Sequence, residues 1–232
     1  AARDGPPRRR AARRAEGGPE ERPPWDVGRA LRTAAFYGAV PNPFDLLRRD
    51  DEEPVGLSPG DVLWPAGDAG RLVWGVQDDV IMGGASESFL EGNVWRGNII
   101  TAGGGFAGIR TQAFRPAFDA SRCQGIRLRV RGGGDQRYKL IIRDSYEWNG
   151  IAWSYEFDTK SWNPLSDVTE VMAPFSEFVP TLFAQRVPDV KYNAAKLTTL
   201  QLTLSKFGYD GDLNPNFKAG EFSITLESVG VF

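Results

Sequence analysis

The sequence predicts an all-β protein, a β-sandwich with one amphipathic helix on its N-terminal side. Seven short runs rich in branched and aromatic residues occupy 93–100, 106–114, 124–131, 138–144, 151–159, 197–206 and 221–232. The clearest alternates with period two, Ile126-Arg127-Leu128-Arg129-Val130-Arg131; Leu200, Leu202 and Leu204, then Phe222, Ile224 and Leu226, repeat the pattern against polar neighbours. Alternation bounded by turn clusters such as Gly132-Gly133-Gly134-Asp135 is what antiparallel strands with one wet face produce. Seven or more such strands without intervening helices pack as a sandwich. The 27 glycines and 16 prolines agree with many turns, and 41% apolar residues suffice to fill a core in 232 residues.

Taken in order, residues 1–24 read as a disordered Arg/Pro/Gly-rich tail with no apolar periodicity. Seven arginines against four acids give the tail +3, leaving −5 for a body whose acidity argues against a basic nucleic-acid groove. This Ala/Arg-rich start has the composition of a transit-peptide remnant, with a solvated linker or a phosphate-binding arm as alternatives. Residues 25–49 form an amphipathic helical segment. Asp26 caps it, Val27, Ala30, Leu31, Ala34 and Ala35 fall at helical spacing, Arg29 and Arg32 face away, and Pro41 and Pro43 stop it. The Trp25–Val40 helix packs on the domain's own sheet, a partner or a membrane surface. Residues 50–70 read as a linker and 71–232 as the sandwich domain.

The sequence has no histidine, which removes Ser-His-Asp and Cys-His catalysis, His-ligated zinc and the commonest general base. Cys123 is the one cysteine, so neither an intramolecular disulfide nor a multi-cysteine metal cage can form. No catalytic residue, metal site or cofactor is expected, and the protein reads as a non-enzyme.

The stretch from Val76 to Phe89, VQDDVIMGGASESF, reads as a sharp polar loop leading into the sheet, with Gly83-Gly84 marking a close approach or left-handed backbone. Asp78, Asp79, Met82, Gly83, Gly84, Ser86 and Glu87 are its candidate partner-binding residues. For the acids, turn capping is preferred over a Ca²⁺ site. The loop from Asp144 to Gly150 adds Trp148 and Asn149, whereas Trp153 and Tyr155 share a strand face and belong to the core. Gly103-Gly104-Gly105-Phe106-Ala107-Gly108 satisfies G-x-G-x-x-G, but a strand follows instead of a helix, so it reads as a strand-linking loop and not a dinucleotide site.

These blocks carry a resemblance. DDVIMGGASES and GGFAGIRT, then GIRLRVRGGG, YKLIIRD, WNGIAWSYEFDT and LSKFGYDGDLNPNFKAGEFSITLESV are similar to the complex I intermediate-associated protein 30 family, over roughly Trp25 to Phe232. The opening WDVGRALRTAAFYGAVP resembles the plastid and cyanobacterial members more closely. The resemblance implies a galactose-binding-like jelly-roll β-sandwich and a non-catalytic assembly factor. Such a factor binds subunits or intermediates of an organellar membrane complex, photosynthetic or NADH dehydrogenase type. It places the protein in the chloroplast, stroma or thylakoid-associated, with the mitochondrial matrix as the alternative. Two other functions compete: an RNA-binding module supporting organellar translation, from the Arg-rich tail and the Arg127/Arg129/Arg131 face, and a carbohydrate-binding sandwich, from Trp148. Nothing points to DNA.

Overall fold

The computed structural model describes residues 24–39, 52–65, 72–160 and 167–232. In chain order the strands are β1 (Val55–Gly56), β2 (Val62–Trp64), β3 (Trp74–Val76), β4 (Glu87–Glu91), β5 (Val94–Ile99), β6 (Phe106–Thr111), β7 (Phe118–Asp119), β8 (Gly125–Gly132), β9 (Arg137–Arg143), β10 (Ala152–Asp158), β11 (Val168–Pro174), β12 (Val179–Leu182), β13 (Gln185–Arg186), β14 (Thr199–Ser205) and β15 (Gly220–Val231). They form a jelly-roll β-sandwich. One sheet runs β13-β12-β10-β9-β14-β6-β3; the other runs β11-β8-β15-β5-β4, with β2 also pairing β15. A short parallel pair joins β1 to β7.

All seven runs expected from the sequence are strands: β5, β6, β8, β9, β10, β14 and β15. Their alternation places Ile126, Leu128 and Val130 of β8, Tyr138, Leu140 and Ile142 of β9, and Leu200, Leu202 and Leu204 of β14 in one buried core, with Trp95 fully enclosed between the sheets. Burying a side chain of this size is worth about 1.5–3 kcal/mol, so a strand with three such positions is held firmly in register. Trp153 is in the core, as read, and Tyr155 packs against it.

The expected linker needs correction. Part of 50–70 is built into the fold, because β1 pairs with β7 and β2 pairs with β15. The tail over 1–23, residues 40–51 of the helical segment and the linker, and 66–71 lie outside the described residues.

The helix, α1 (Val27–Phe36), starts at the expected cap: the Asp26 side chain accepts from the Arg29 backbone N–H at 2.8 Å. Its buried face differs from the expected one. Ala30 and Thr33 are buried and Arg29 points inward, while Val27 and Leu31 are 47% and 59% exposed. An internal carboxylate attracts Arg29, and the small Ala30 and Thr33 let the helix sit close. No described helix is long and apolar enough to cross a membrane.

Two strand edges define where this helix lies. β3 ends the seven-stranded sheet and β4 ends its neighbour, and residues 77–86 carry the chain from one edge to the other. Packing α1 over that crossing and against β3 covers an otherwise open edge.

Candidate functional site

At the crossing, Asp78 is extended (φ −93°, ψ 171°). Asp79 opens a single 3₁₀ turn, Asp79–Met82, which Gly83 closes in left-handed backbone at φ 83°. This change of backbone lets both adjacent acids point inward, where a continuous strand would send them to opposite faces. Asp78 is 1% exposed and Asp79 fully buried.

Every carboxylate oxygen is occupied. Asp79 accepts from the Ser86 N–H at 2.9 Å and hydroxyl at 2.7 Å, and from the N–H groups of Gly105 at 2.7 Å and Phe106 at 3.2 Å. Asp78 accepts from the Ser88 N–H at 2.8 Å and hydroxyl at 2.6 Å, the Gly108 N–H at 3.3 Å and the Arg29 guanidinium at 2.8 Å. Burial pushes the Asp78 carboxyl up, against the lowering pull of Ser88 and of Arg29. The loop that mimics a dinucleotide motif is indeed a strand-linking loop. Its backbone N–H groups form an anion-holding nest, and the anions are the protein's own carboxylates. A Cβ on Gly84 or on Gly104 would collide with the Asp79 side chain, so the glycines on both sides of the nest are required by close approach.

The candidate list from the sequence therefore divides. Asp78, Asp79, Gly83, Gly84 and Ser86 are buried, which corrects their reading as contact residues: they hold the turn in shape. Met82 at 65% exposure and Glu87 reach the surface. The turn-capping reading of the acids agrees with the geometry, and no group of potential metal ligands occurs among the described residues.

Trp148 and Asn149 also reach the surface, Trp148 only in part. The Trp148 ring lies 5.5 Å from Tyr37 and packs on the Arg110 guanidinium at 5.2 Å. The Tyr37 hydroxyl, directly after α1, donates to the Arg110 carbonyl at 3.2 Å. At the other end of the helix, the Trp25 indole N–H donates to the Val80 carbonyl at 2.6 Å. The helix thus spans both candidate stretches, with Trp25 and Arg29 on the Asp78–Met82 turn and Tyr37 against Trp148. Reading the sequence missed Trp25, Arg29 and Arg110 as parts of this site. The one available signal was an arginine beside the small-residue positions of the helix.

The Arg127/Arg129/Arg131 face is not free charge. Arg127 pairs with Glu170, Arg129 with Glu227, and Arg131 with both Asp167 and Glu227.

The sequence profile described as complex I intermediate-associated protein 30 matches residues 67–226. The chain belongs to that family. The match contains both carboxylates, their glycine nest and Trp148, while α1 and Arg29 precede it. No curated protein matches this member of the complex I intermediate-associated protein 30 family. Among solved structures it is similar to the family 11 carbohydrate-binding module of the cellulase Lic26A-Cel5E of Clostridium thermocellum, at 13% identity and a TM-score of 0.49, covering 76% of this chain and 95% of that one. The same organism's module in complex with a mixed-linked tetrasaccharide gives 14% identity and a TM-score of 0.45, over 70% and 94% of the two chains. Likeness at this level says nothing of what this member binds.

Proposed function

We propose that the protein is a non-catalytic assembly factor that binds subunits or intermediates of an organellar membrane complex, of photosynthetic or NADH dehydrogenase type. The observation that carries this reading is membership of a family named for association with complex I intermediates. We place it in the chloroplast, on the likeness of its opening helix to plastid and cyanobacterial members, with the mitochondrial matrix as the alternative.

The contact surface in this reading is the outer side of α1 together with the turn beneath it. Trp25, Val27, Leu31 and Met82 are each about half exposed or more, between 47% and 65%. Val27 and Leu31 lie one helical turn apart, and Trp25 is bonded to the turn that carries Met82. Apolar side chains fixed in place on a helix and a rigid turn suit a hydrophobic segment of a client subunit. The same face is where peripheral contact with a membrane would occur. Trp148 contributes beside Tyr37, with Asn149 and Glu87 at the polar rim.

The RNA reading finds less support, because the arginines of β8 are already paired with acids. The carbohydrate reading needs an open Trp148 ring, and that ring packs against Tyr37 and Arg110.

The test is affinity purification of the tagged chain from solubilised organelles, beside a Leu31→Glu/Met82→Glu variant. Complex subunits should co-purify with the native chain and be depleted severalfold from the variant. Equal recovery with both would remove the surface, and no subunits with either would remove the function.

A further inference from the structure

The outer face of the seven-stranded sheet carries two buried arginines with no acid to answer them among the described residues. Arg110 of β6 is 5% exposed and Arg143 of β9 is 8% exposed. Their strands flank β14, so about 10 Å of sheet separates them. On β14, Gln201 is the register partner of Arg110 and Thr199 that of Arg143. Arg143 leans across to Gln201, donating from Nη1 to Oε1 at 3.0 Å. Four buried polar groups stay open: Nε and Nη1 of Arg110, Nε of Arg143 and the Thr199 hydroxyl have no hydrogen-bond partner among the described residues.

Elsewhere on the sheets Arg96, Arg127, Arg129, Arg131 and Arg137 each face a carboxylate. Arg110 and Arg143 have none among the described residues. Burial lowers the Arg110 guanidinium to about 10, and burial followed by the Arg110 charge holds Arg143 well below its ordinary value. Two like charges shielded from water, with open N–H groups, destabilise the fold unless an anion joins them. A guanidinium is a planar fork matched to the paired oxygens of a carboxylate or phosphate.

We propose that Arg110, Arg143 and Thr199 form a binding site for a small oxyanion, a phosphate or carboxylate group, on the outer face of the seven-stranded sheet. Gln201, seated between them on β14, accepts from Arg143 and orients it, while its own amide donates to the Thr203 hydroxyl at 2.9 Å. Tyr37 and Trp148 pack on Arg110, at 5.6 and 5.2 Å from its guanidinium carbon, so a ligand reaches the site past these half-buried rings. The site borders the Trp148 end of the proposed client surface and lies apart from the Val27, Leu31 and Met82 side of α1.

The test is thermal unfolding of the full chain in sodium phosphate, sodium malonate or sodium chloride at matched ionic strength, for the native protein, Arg110→Gln and Arg143→Gln. A bound anion raises the melting temperature of the native protein by about 2–4 °C more than that of either variant. The phosphate and malonate arms separate the two ligand classes. Equal rises in all three proteins, the general effect of excluded salts, overturn the site. Should the variants not fold, the Nε–H resonances of the native protein's arginines are followed by NMR. Saturable shifts with phosphate or malonate support the site, and their absence with both overturns it.

Discussion

Four donors converge on the Asp79 carboxylate, three of them on one oxygen. An asparagine there would turn a donor toward at least one of those N–H groups. Asp79→Asn is therefore expected to destabilise the protein by about 3 kcal/mol, close to the effect of Asp79→Ala, as read from urea unfolding. A loss below about 1 kcal/mol would mean that the nest tolerates a neutral side chain. Gly104→Ala should be comparably damaging, because its Cβ would occupy the space of the same carboxylate. Asp78 makes a different prediction with pH. Its carboxyl is raised above the unfolded value, so the folded state takes up this proton before the unfolded state does. Its ionised form costs stability that returns as pH falls through the folded pKa toward the unfolded one. The penalty of Asp78→Ala should accordingly grow as the pH is lowered from about 7 to about 4. A penalty that shrinks over that range would reverse the sign.

For an element, the question is what holds it to its neighbours. Ten residues of helix are marginal alone, so α1 is held by its anchors: Trp25 on Val80, Arg29 on Asp78 and Tyr37 on the Arg110 carbonyl. Arg29→Met should leave the sandwich folded but free the helix, lowering amide protection in 27–36 by a factor of ten or more, roughly 1.4 kcal/mol or above. Unchanged protection in hydrogen exchange would show that packing alone suffices. The existence of α1 and its Asp26 cap were legible in the sequence; its orientation was not. Spacing marks an apolar stripe, but the decisive partner, Asp78, lies 49 residues away. Long strands were legible for the converse reason, since each has one dry face that prints alternation on the sequence. Two-residue β1 and β7 are too short to print any.

At the scale of the whole molecule, two sheets meet at an edge closed by the Asp78–Ser86 crossing, the glycine nest and α1. Both pieces of the nest stood out in the sequence, the paired acids and the glycine cluster. Their union did not, because 26 to 30 residues and two strands separate them. The charge pattern misled in the same way: Arg127, Arg129 and Arg131 read as a basic face, and their acids arrive on β11, on β15 and in the residue before β11. With that face neutralised, we expect RNA affinity of the folded domain to be weak and to vary little with salt. A steep loss of affinity between low and physiological salt in a filter-binding titration would contradict this.

In the proposed function the protein holds subunits of a membrane complex on the surface built from α1 and its turn. Affinity purification from solubilised organelles, with and without ribonuclease and beside the Leu31→Glu/Met82→Glu variant, tests it most directly. Complex subunits retained after ribonuclease by the native chain and lost from the variant are the predicted result. Partners that vanish with ribonuclease, or that the variant retains in full, would contradict it.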